Sequence, residues 1–206
     1  NAGDGSDTIV VVGDGTILAG TYVTIIGAAG LSANVAANGL NTIDLGFFAG
    51  ATDVDVLIFD RDVAPSGLSV VTNFDALGTG AGEDKIVVET SALLANGEWA
   101  DAGELRQSGG LQPADATLIV LDNNPGGFGS LSDAGIAADS LQTGSQTGES
   151  YLFVWNDTAG AIHVSYATVD NTVEASLDQI SDLMKTNNGI SATIANFNLG
   201  DFDFIV

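Results

Sequence analysis

The residues best suited to chemistry lie at the start of the chain, where Ala2-Gly3-Asp4-Gly5-Ser6-Asp7 precedes the apolar run Thr8–Val12. Glycines let a loop adopt backbone conformations that other residues avoid, so that carbonyl oxygens can turn inward. Asp7 adds a hard anionic oxygen, and Asp4 is a further candidate ligand. Oxygen ligands of this kind suit calcium. An ordinary Gly/Asp turn between two strands is the alternative interpretation.

Residues 2–10 follow the calcium-binding nonapeptide pattern G-G-x-G-x-D-x-U-x, with Ala2 in place of the first glycine. The next stretch keeps Gly-Asp-Gly around Asp14, which is a further candidate ligand, but has no Asp at the sixth position. A single repeat cannot bury its own apolar face, so we expect stacking partners upstream of residue 1. Because the chain also lacks an initiator Met, we interpret it as the C-terminal piece of a longer protein.

The charge balance argues against nucleic acid as a partner and favours divalent cations. The chain has 27 acidic residues, of which 21 are Asp and 6 are Glu, against four basic ones, and its net charge is −23 at pH 7. Such a surface repels nucleic acid phosphates and attracts divalent cations. With no cysteine and one histidine, a zinc site is disfavoured, and calcium is the expected cofactor. Other acidic loops supply further candidate ligands, namely Asp60, Asp62 and Asp84.

No apolar run in the sequence is long enough to span a bilayer, so we predict no membrane span. The first residues also lack the basic start and central apolar block of a Sec-type signal peptide. The protein is therefore expected to be cytosolic, or to be exported by a signal elsewhere in the chain.

Nine runs rich in β-branched or aromatic residues predict short strands, and clusters of Gly, Asn or Asp separate them. They are Thr8–Val12, Tyr22–Ile26, Asn41–Leu45, Val54–Phe59, Leu68–Val71, Lys85–Val88, Thr117–Leu121, Tyr151–Trp155 and Ala161–Tyr166. This pattern favours a mainly β roll or sandwich over alternating β-α-β units. The last two runs predict a hairpin whose loop is Asn156–Gly160, with Gly160 suited to a positive φ.

Helical signals are fewer. One predicted helix begins at an Asn171 N-cap and ends before Asn187, with Lys185 in its last turn. Its apolar residues recur on one face: Val173, Leu177, Ile180 and Met184. A helical turn is expected at Ser91–Ala95, and a short helix at Ser132–Leu141 within an otherwise irregular loop.

Three later segments carry a family resemblance. Residues 54–90 resemble three consecutive motifs, F-x-F, D-x-I-x-D-F and G-x-D-K-I-D-L-S. Of the residues in these motifs they keep Phe74, Gly82, Asp84, Lys85 and Ile86. Asn73 and Val87 depart from it, each replacing an Asp. Residues 151–166 resemble L-x-Y-N-x-x-T-G-x-L-x-Y-D, and Phe202–Val206 resembles a D-F-x-I/V end. With the nonapeptide, these segments resemble the RTX, or hemolysin-type calcium-binding, family of proteins exported by type I secretion.

The resemblance implies a fold and a route of export. Residues 1–52 would form the end of a parallel β-roll with calcium between adjacent turns, followed by other strands. Residues 53–206 would form an RTX-type capping β domain, sandwich-like or roll-like, with one or two short helices. An uncleaved export signal near residues 171–206 would be read by an ABC transporter, a membrane fusion protein and an outer-membrane channel. The protein would then be secreted or attached to the cell surface.

Catalytic residues are not predicted. His163 lies within a predicted strand, where a single histidine is more often a packing or surface residue than a general base. The pairs Asp53/Asp55, Asp60/Asp62 and Asp201/Asp203 could perform acid/base chemistry on a glycoside. Their i, i+2 spacing on strands would put both carboxylates on one face, which suits a shared cation better.

The alternating aromatic residues Tyr151, Phe153 and Trp155 leave two interpretations open. They could stack on the apolar faces of a sugar, or they could form one side of the core. The core interpretation is favoured because large aromatic residues are usually buried.

Together these observations predict a calcium-stabilised, non-catalytic C-terminal module of a secreted RTX-like protein. Its parent would be a surface-layer or adhesin-like protein that assembles with itself or binds cell-surface polysaccharide. The alternative is the C-terminal part of a secreted hydrolase or carbohydrate-binding protein.

Overall fold

A computed structural model describes residues 8–12, 23–26, 32–36, 41–44, 56–59, 69–72, 74, 76, 84–89, 103–109, 116–142, 149–169, 181–187 and 193–205. Within these ranges lie thirteen strands in two sheets, one α-helix and two short 3-10 helices. The described part of the chain is therefore mainly β, as the sequence predicts.

The strands are β1 (Thr8–Val12), β2 (Val23–Ile26), β3 (Ser32–Ala36), β4 (Asn41–Asp44), β5 (Val56–Phe59), β6 (Ser69–Thr72), β7 (Lys85–Glu89), β8 (Glu104–Arg106), β9 (Leu118–Val120), β10 (Ser150–Asn156), β11 (Ile162–Thr168), β12 (Ser181–Asn187) and β13 (Phe202–Ile205). The helix α1 spans Leu131–Asp139, and the 3-10 helices η1 and η2 span Ile194–Asn196 and Leu199–Asp201.

All nine strands predicted from the sequence correspond to a described strand. The strands β3 and β8 were not predicted, because β3 is rich in Ala and Asn and β8 reads Glu-Leu-Arg. The short helix predicted at Ser132–Leu141 is confirmed as α1. The helical turn predicted at Ser91–Ala95 lies outside the described residues.

The first seven strands alternate between the two sheets. The first sheet has the order β1-β3-β5-β7-β13, and every pair in it is parallel. In the second sheet, β2, β4 and β6 follow the same pattern. Thr8 lies opposite Ser32, and Ser32 lies opposite Val56, so the chain returns to the first sheet after 24 residues (8 to 32, and 32 to 56).

The second sheet continues past β6 in the order β12-β11-β10-β9-β8. Strand β12 is parallel to β6 and antiparallel to β11, which forms the predicted hairpin with β10. Gly160 in the hairpin loop has a φ of 82°, as predicted. After β8–β11, the chain forms β12, which pairs with β6, and then β13, which pairs with β7.

The helix predicted to begin at the Asn171 N-cap and to end before Asn187 is wrong over its last part. Residues 181–187 form β12, in which Met184 pairs with both Val164 and Ser69. A strand in this position gains backbone ladders on both sides, which outweighs the modest local preference for helix. The first part of that predicted helix, residues 171–180, lies outside the described residues.

Two hydrophobic clusters pack on opposite faces of the second sheet. The first lies between the sheets and joins Ile86 and Val88 of β7 to Leu152 and Val154 of β10. The second lies under α1, where alternate residues of β10 pack against the small side chains of Ala134 and Ala138. Because every β10 residue from 150 to 155 is buried, this strand is covered on both faces.

Helix α1 begins at Ser130, whose side chain accepts a hydrogen bond from the Asp133 backbone N–H at 3.1 Å. The helix buries Ala134, Gly135 and Ala138 toward the sheet and leaves Ile136 exposed. Small residues on the inner side let the helix axis approach the strands closely.

Candidate functional site

The predicted calcium ligands are only partly within the described residues. Asp4, Asp7, Asp14, Asp60 and Asp62 lie outside them. Asp84 is described, and it is buried directly before β7. Within the described ranges, no group of three or more His, Asp or Glu residues could hold a metal ion. Asp84 therefore has no such group around it among those residues.

The expectation that Asp201 and Asp203 lie on one face of a strand is wrong. Asp201 ends η2 and is buried, and its Oδ2 accepts a hydrogen bond from the Asn198 backbone N–H at 2.8 Å. Asp203 lies on β13 and is exposed. The i, i+2 spacing puts carboxylates on one face only within a continuous strand, and here the first of the two belongs to a 3-10 turn.

His163 is a packed residue of the hairpin. It is 4% exposed and stacks on Trp155 across the two strands, with ring centroids 4.2 Å apart and an interplanar angle of 14°. Its Nε2 lies 3.3 Å from Oδ2 of Asp157. The other carboxylate oxygen of Asp157 accepts from the N–H groups of Ala159 and Ala161, which shapes the loop. The arrangement positions the turn and encloses the imidazole.

The aromatic residues of β10 form core. Tyr151 and Phe153 are fully buried and Trp155 is 3% exposed, and all three belong to the cluster under α1. The indole Nε1 of Trp155 donates to Oγ of Ser165 at 3.0 Å, so its polar atom is also satisfied inside. The core interpretation is confirmed for these residues, and the interpretation that they line a sugar-binding face is wrong.

Tyr151 has a strongly perturbed hydroxyl. Burial under α1 raises the pKa of Tyr151 above its ordinary value, and the negative charge of Asp139 at the end of the helix raises it further. The neutral phenol is therefore the form that the fold requires.

The charged cluster that sequence analysis missed joins β8 to the end of the chain. We call residues 193–205, which comprise η1, η2 and β13, the C-terminal strap. Arg106 donates to the carbonyl oxygens of Ala195, at 3.1 Å, and of Phe197. Glu104 accepts from the Leu199 N–H at 2.9 Å, and Lys85 of β7 donates to the Gly200 carbonyl. Three charged side chains thus bind four backbone groups of the strap.

Arg106 is itself held in place by two carboxylates. Its Nε lies 2.5 Å from Glu104 Oε1, and its Nη1 lies 3.4 Å from Asp122 Oδ2. Asp122 in turn accepts from the backbone N–H of Ser108 at 2.8 Å and from its hydroxyl at 2.6 Å. The two carboxylates therefore fix the orientation of the guanidinium group that binds the strap.

The strap also buries apolar side chains. Phe197 is fully buried and stacks on Phe74, with ring centroids 5.6 Å apart and planes at 4°. Phe202 is buried in the same cluster, and Phe204 packs against it. Phe202 and Phe204 therefore lie on the core side of β13.

One sequence feature could have drawn attention to this cluster. The chain contains four basic residues against 27 acidic ones, and two of the four, Lys85 and Arg106, contact the strap. A rare charge of one sign in a chain dominated by the other has many possible partners, so its rarity alone does not identify which segment it binds.

Comparisons with protein-family models, with curated proteins and with solved structures find no match to this chain. Among the residues that the structure describes, no helix has the length and apolar character needed to cross a membrane.

Proposed function

We propose that this chain is a calcium-stabilised, non-catalytic module from the C-terminal end of a secreted RTX-like protein. In this proposal residues 1–52 end a parallel β-roll, and residues 53–206 close it with a β domain that carries an export signal near residues 171–206. The module serves type I export through an ABC transporter, folding outside the cell and assembly at the cell surface.

The observation that carries the proposal is the path of β1–β7. These strands alternate between two sheets, and neighbours within each sheet are parallel, which is the path of a chain winding in successive coils. The first of them, β1, starts at Thr8, directly after the Gly/Asp stretch that matches the nonapeptide. A strand directly after the nonapeptide sequence is what the pattern requires, and this supports the proposed end of a β-roll.

Calcium is proposed to bind through the oxygens of acidic loops, with Asp7 as a ligand and with Asp4, Asp14, Asp60, Asp62 and Asp84 as further candidates. A net charge of −23 opposes compaction, and a divalent cation relieves this repulsion. When bound, calcium supplies a shared counter-charge for loops of adjacent coils. Such a chain would stay open where calcium is scarce and fold where it is abundant.

The proposal of a non-catalytic module is supported by the enclosure of His163, which is stacked under Trp155 and 4% exposed. The competing assignment to a carbohydrate-binding protein loses its main support because Tyr151, Phe153 and Trp155 are core residues. Self-assembly as a surface-layer or adhesin-like protein is accordingly the function that we favour.

A calcium titration tests the proposal. Purified wild-type chain is compared in EDTA and in calcium from about 10⁻⁵ to 10⁻² M, a range that brackets the affinities of extracellular calcium modules. We expect calcium to raise the Tm and to increase the β signal in circular dichroism. Asp7→Ala should weaken this response, whereas Asp203→Asn, which removes the same charge from an exposed position on β13, should retain it. Identical melting in EDTA and calcium would contradict the calcium assignment.

Export is tested separately by deletion. In a host with a matching type I transporter, a chain lacking residues 197–206 should stay in the cytosol, while Asp7→Ala should be secreted but fold poorly. Efficient secretion of the deleted chain would leave those residues with a packing role alone.

A further inference from the structure

The two sheets are unequal, and the strap compensates for the difference. Among the described residues, the first sheet has five strands and the second has eight. Near the β8 end of the second sheet, Leu118 and Val120 of β9 lie in the inter-sheet core. Phe197 belongs to the same cluster, and Ile194 and Leu199 pack against it. In addition, η1 contacts β10. The 3-10 helices of the strap therefore help to cover the apolar face of β9, in a position where the first sheet has no described strand.

In the part of the chain that the structure describes, the strap is attached there by side chains and not by a β ladder. Its β pairing begins only at Phe202, opposite Ile86. Between residues 193 and 201, several N–H groups bond within the strap itself, for example Asn196 to the Thr193 carbonyl at 2.9 Å and Gly200 to Oδ1 of Asn198 at 2.7 Å. The polar links to the rest of the protein described above come from Lys85, Glu104 and Arg106. Residues 193–201 can therefore open without breaking a β ladder, and opening the whole strap also detaches β13, which is an edge strand of the described sheet, from β7.

We propose that the C-terminal strap is a latch: it docks last, it opens first, and Arg106 holds it closed. Opening uncovers the inner face of β9 and β10 and frees the chain end, while the β10–β11 hairpin stays folded. Arg106 is the central contact because one guanidinium group binds two strap carbonyls, while Glu104, the residue paired with it, binds a strap N–H.

The latch gives the proposed export signal two states, and this step rests on the proposed function. The strap lies within residues 171–206, and when docked it hides Phe197 and Phe202 in the core. A receptor that reads an extended chain can bind it only when the strap is open. Folding of the module therefore withdraws the signal.

Hydrogen exchange read by mass spectrometry on the full chain tests the latch. In the wild-type protein, strap amides such as Leu199 and Asp201 should exchange faster than hairpin amides such as Val154 and Val164. Arg106→Met keeps the aliphatic stem and removes the donors, and it should speed exchange in residues 194–201 by roughly tenfold, as expected for the loss of hydrogen bonds from a charged donor. Hairpin exchange should not change.

The controls separate the latch from general destabilisation. Arg106→Lys keeps the charge without the fork and should have an intermediate effect. Lys185→Met removes the same charge from β12 and should leave strap exchange at the wild-type rate. The latch is overturned if wild-type strap and hairpin amides exchange at one common rate, or if Arg106→Met speeds both regions equally or neither.

A secretion assay with the same variants tests the masking of the signal. Arg106→Met should reach the medium faster than the wild type, and Lys185→Met should match the wild type. Equal secretion of all three would overturn the masking and leave the export function in place. Secretion of none of them would overturn both the export function and the masking, and the exchange data would still decide whether the strap is a latch.

Discussion

The imidazole of His163 lies flat against the indole of Trp155, with 4.2 Å between the ring centroids. This contact closes one end of the cluster beneath α1 and links β10 to β11 at the hairpin loop. A histidine in such a position contributes by packing, because its ring has little access to solvent.

His163→Ala should lower the free energy of unfolding by about 2 kcal/mol, because it opens a cavity beside Trp155 and removes the stacked ring. Chemical denaturation followed by tryptophan fluorescence measures the change. The exposed Ile136→Ala serves as a control and should cost less than about 0.5 kcal/mol. A hydrolytic activity of the purified chain that disappears in His163→Ala would contradict the packing role.

Gly127→Ala should be far more damaging than Gly160→Ala, although both glycines have a positive φ, of 68° and 82°. A Cβ at Gly127 would overlap the backbone carbonyl of Asp157, whereas the space beside Gly160 is open. We expect a loss of roughly 1 kcal/mol at Gly160 from backbone strain alone and more than about 3 kcal/mol at Gly127. Equal Tm values for the two variants would show that the approach of these loops is not tight.

Tyr151 should make the protein sensitive to alkaline pH. Since its pKa is raised in the fold, the unfolded chain loses the phenolic proton first, above about pH 10, and unfolding then becomes more favourable. This contribution to stability is present below that pH and is lost as the pH rises above it. Melting from about pH 8 to pH 11.5 should show a fall in Tm. Tyr151→Phe should reduce that fall, while Phe153→Leu should keep it.

The side chain of Gln142 hydrogen-bonds both backbone groups of Ala116, as the backbone of a neighbouring strand would. Its Oε1 accepts from the Ala116 N–H at 3.0 Å, and its Nε2 donates to the Ala116 carbonyl at 2.7 Å. Gln142→Glu should cost about 1–3 kcal/mol at neutral pH, because a carboxylate cannot donate to that carbonyl.

Acidification should restore part of this stability as the new carboxyl group becomes protonated. Gln107→Glu provides the matched control, since Gln107 accepts from the Asn123 N–H and this bond survives the change. A cost at Gln142 that stays constant from about pH 7 to pH 4 would argue against the donor role.

Local signals in the sequence predicted much of the fold. The β10–β11 hairpin could be predicted because two aromatic-rich runs flank a loop with Gly160 at a suitable position, and all of this information lies within 20 residues of chain. In the same way, Ser130 and the small residues after it set the position of α1. In each case the partners are neighbours in sequence.

The parts that were missed depend on distant partners. The run ending at Asn187 has helical spacing, yet it forms β12 because β6 and β11 offer edges on both sides. Likewise, nothing near Arg106 in the sequence indicates Phe197, which lies 91 residues further on. Such pairings follow from the arrangement of the sheets, which periodicity does not encode.

Ser69 of β6 pairs with Met184, and Ile86 of β7 pairs with Phe202. In each pair the second residue lies more than 100 residues further along the chain. Hairpins form within microseconds, whereas pairings across such separations are slow because a long loop must close first. Until residues 181–205 are present, β6 and β7 each keep one unpaired side. A copy of the chain that lacks residues 181–205 thus exposes two unpaired strand edges. A protease or chaperone could recognise the copy by these edges.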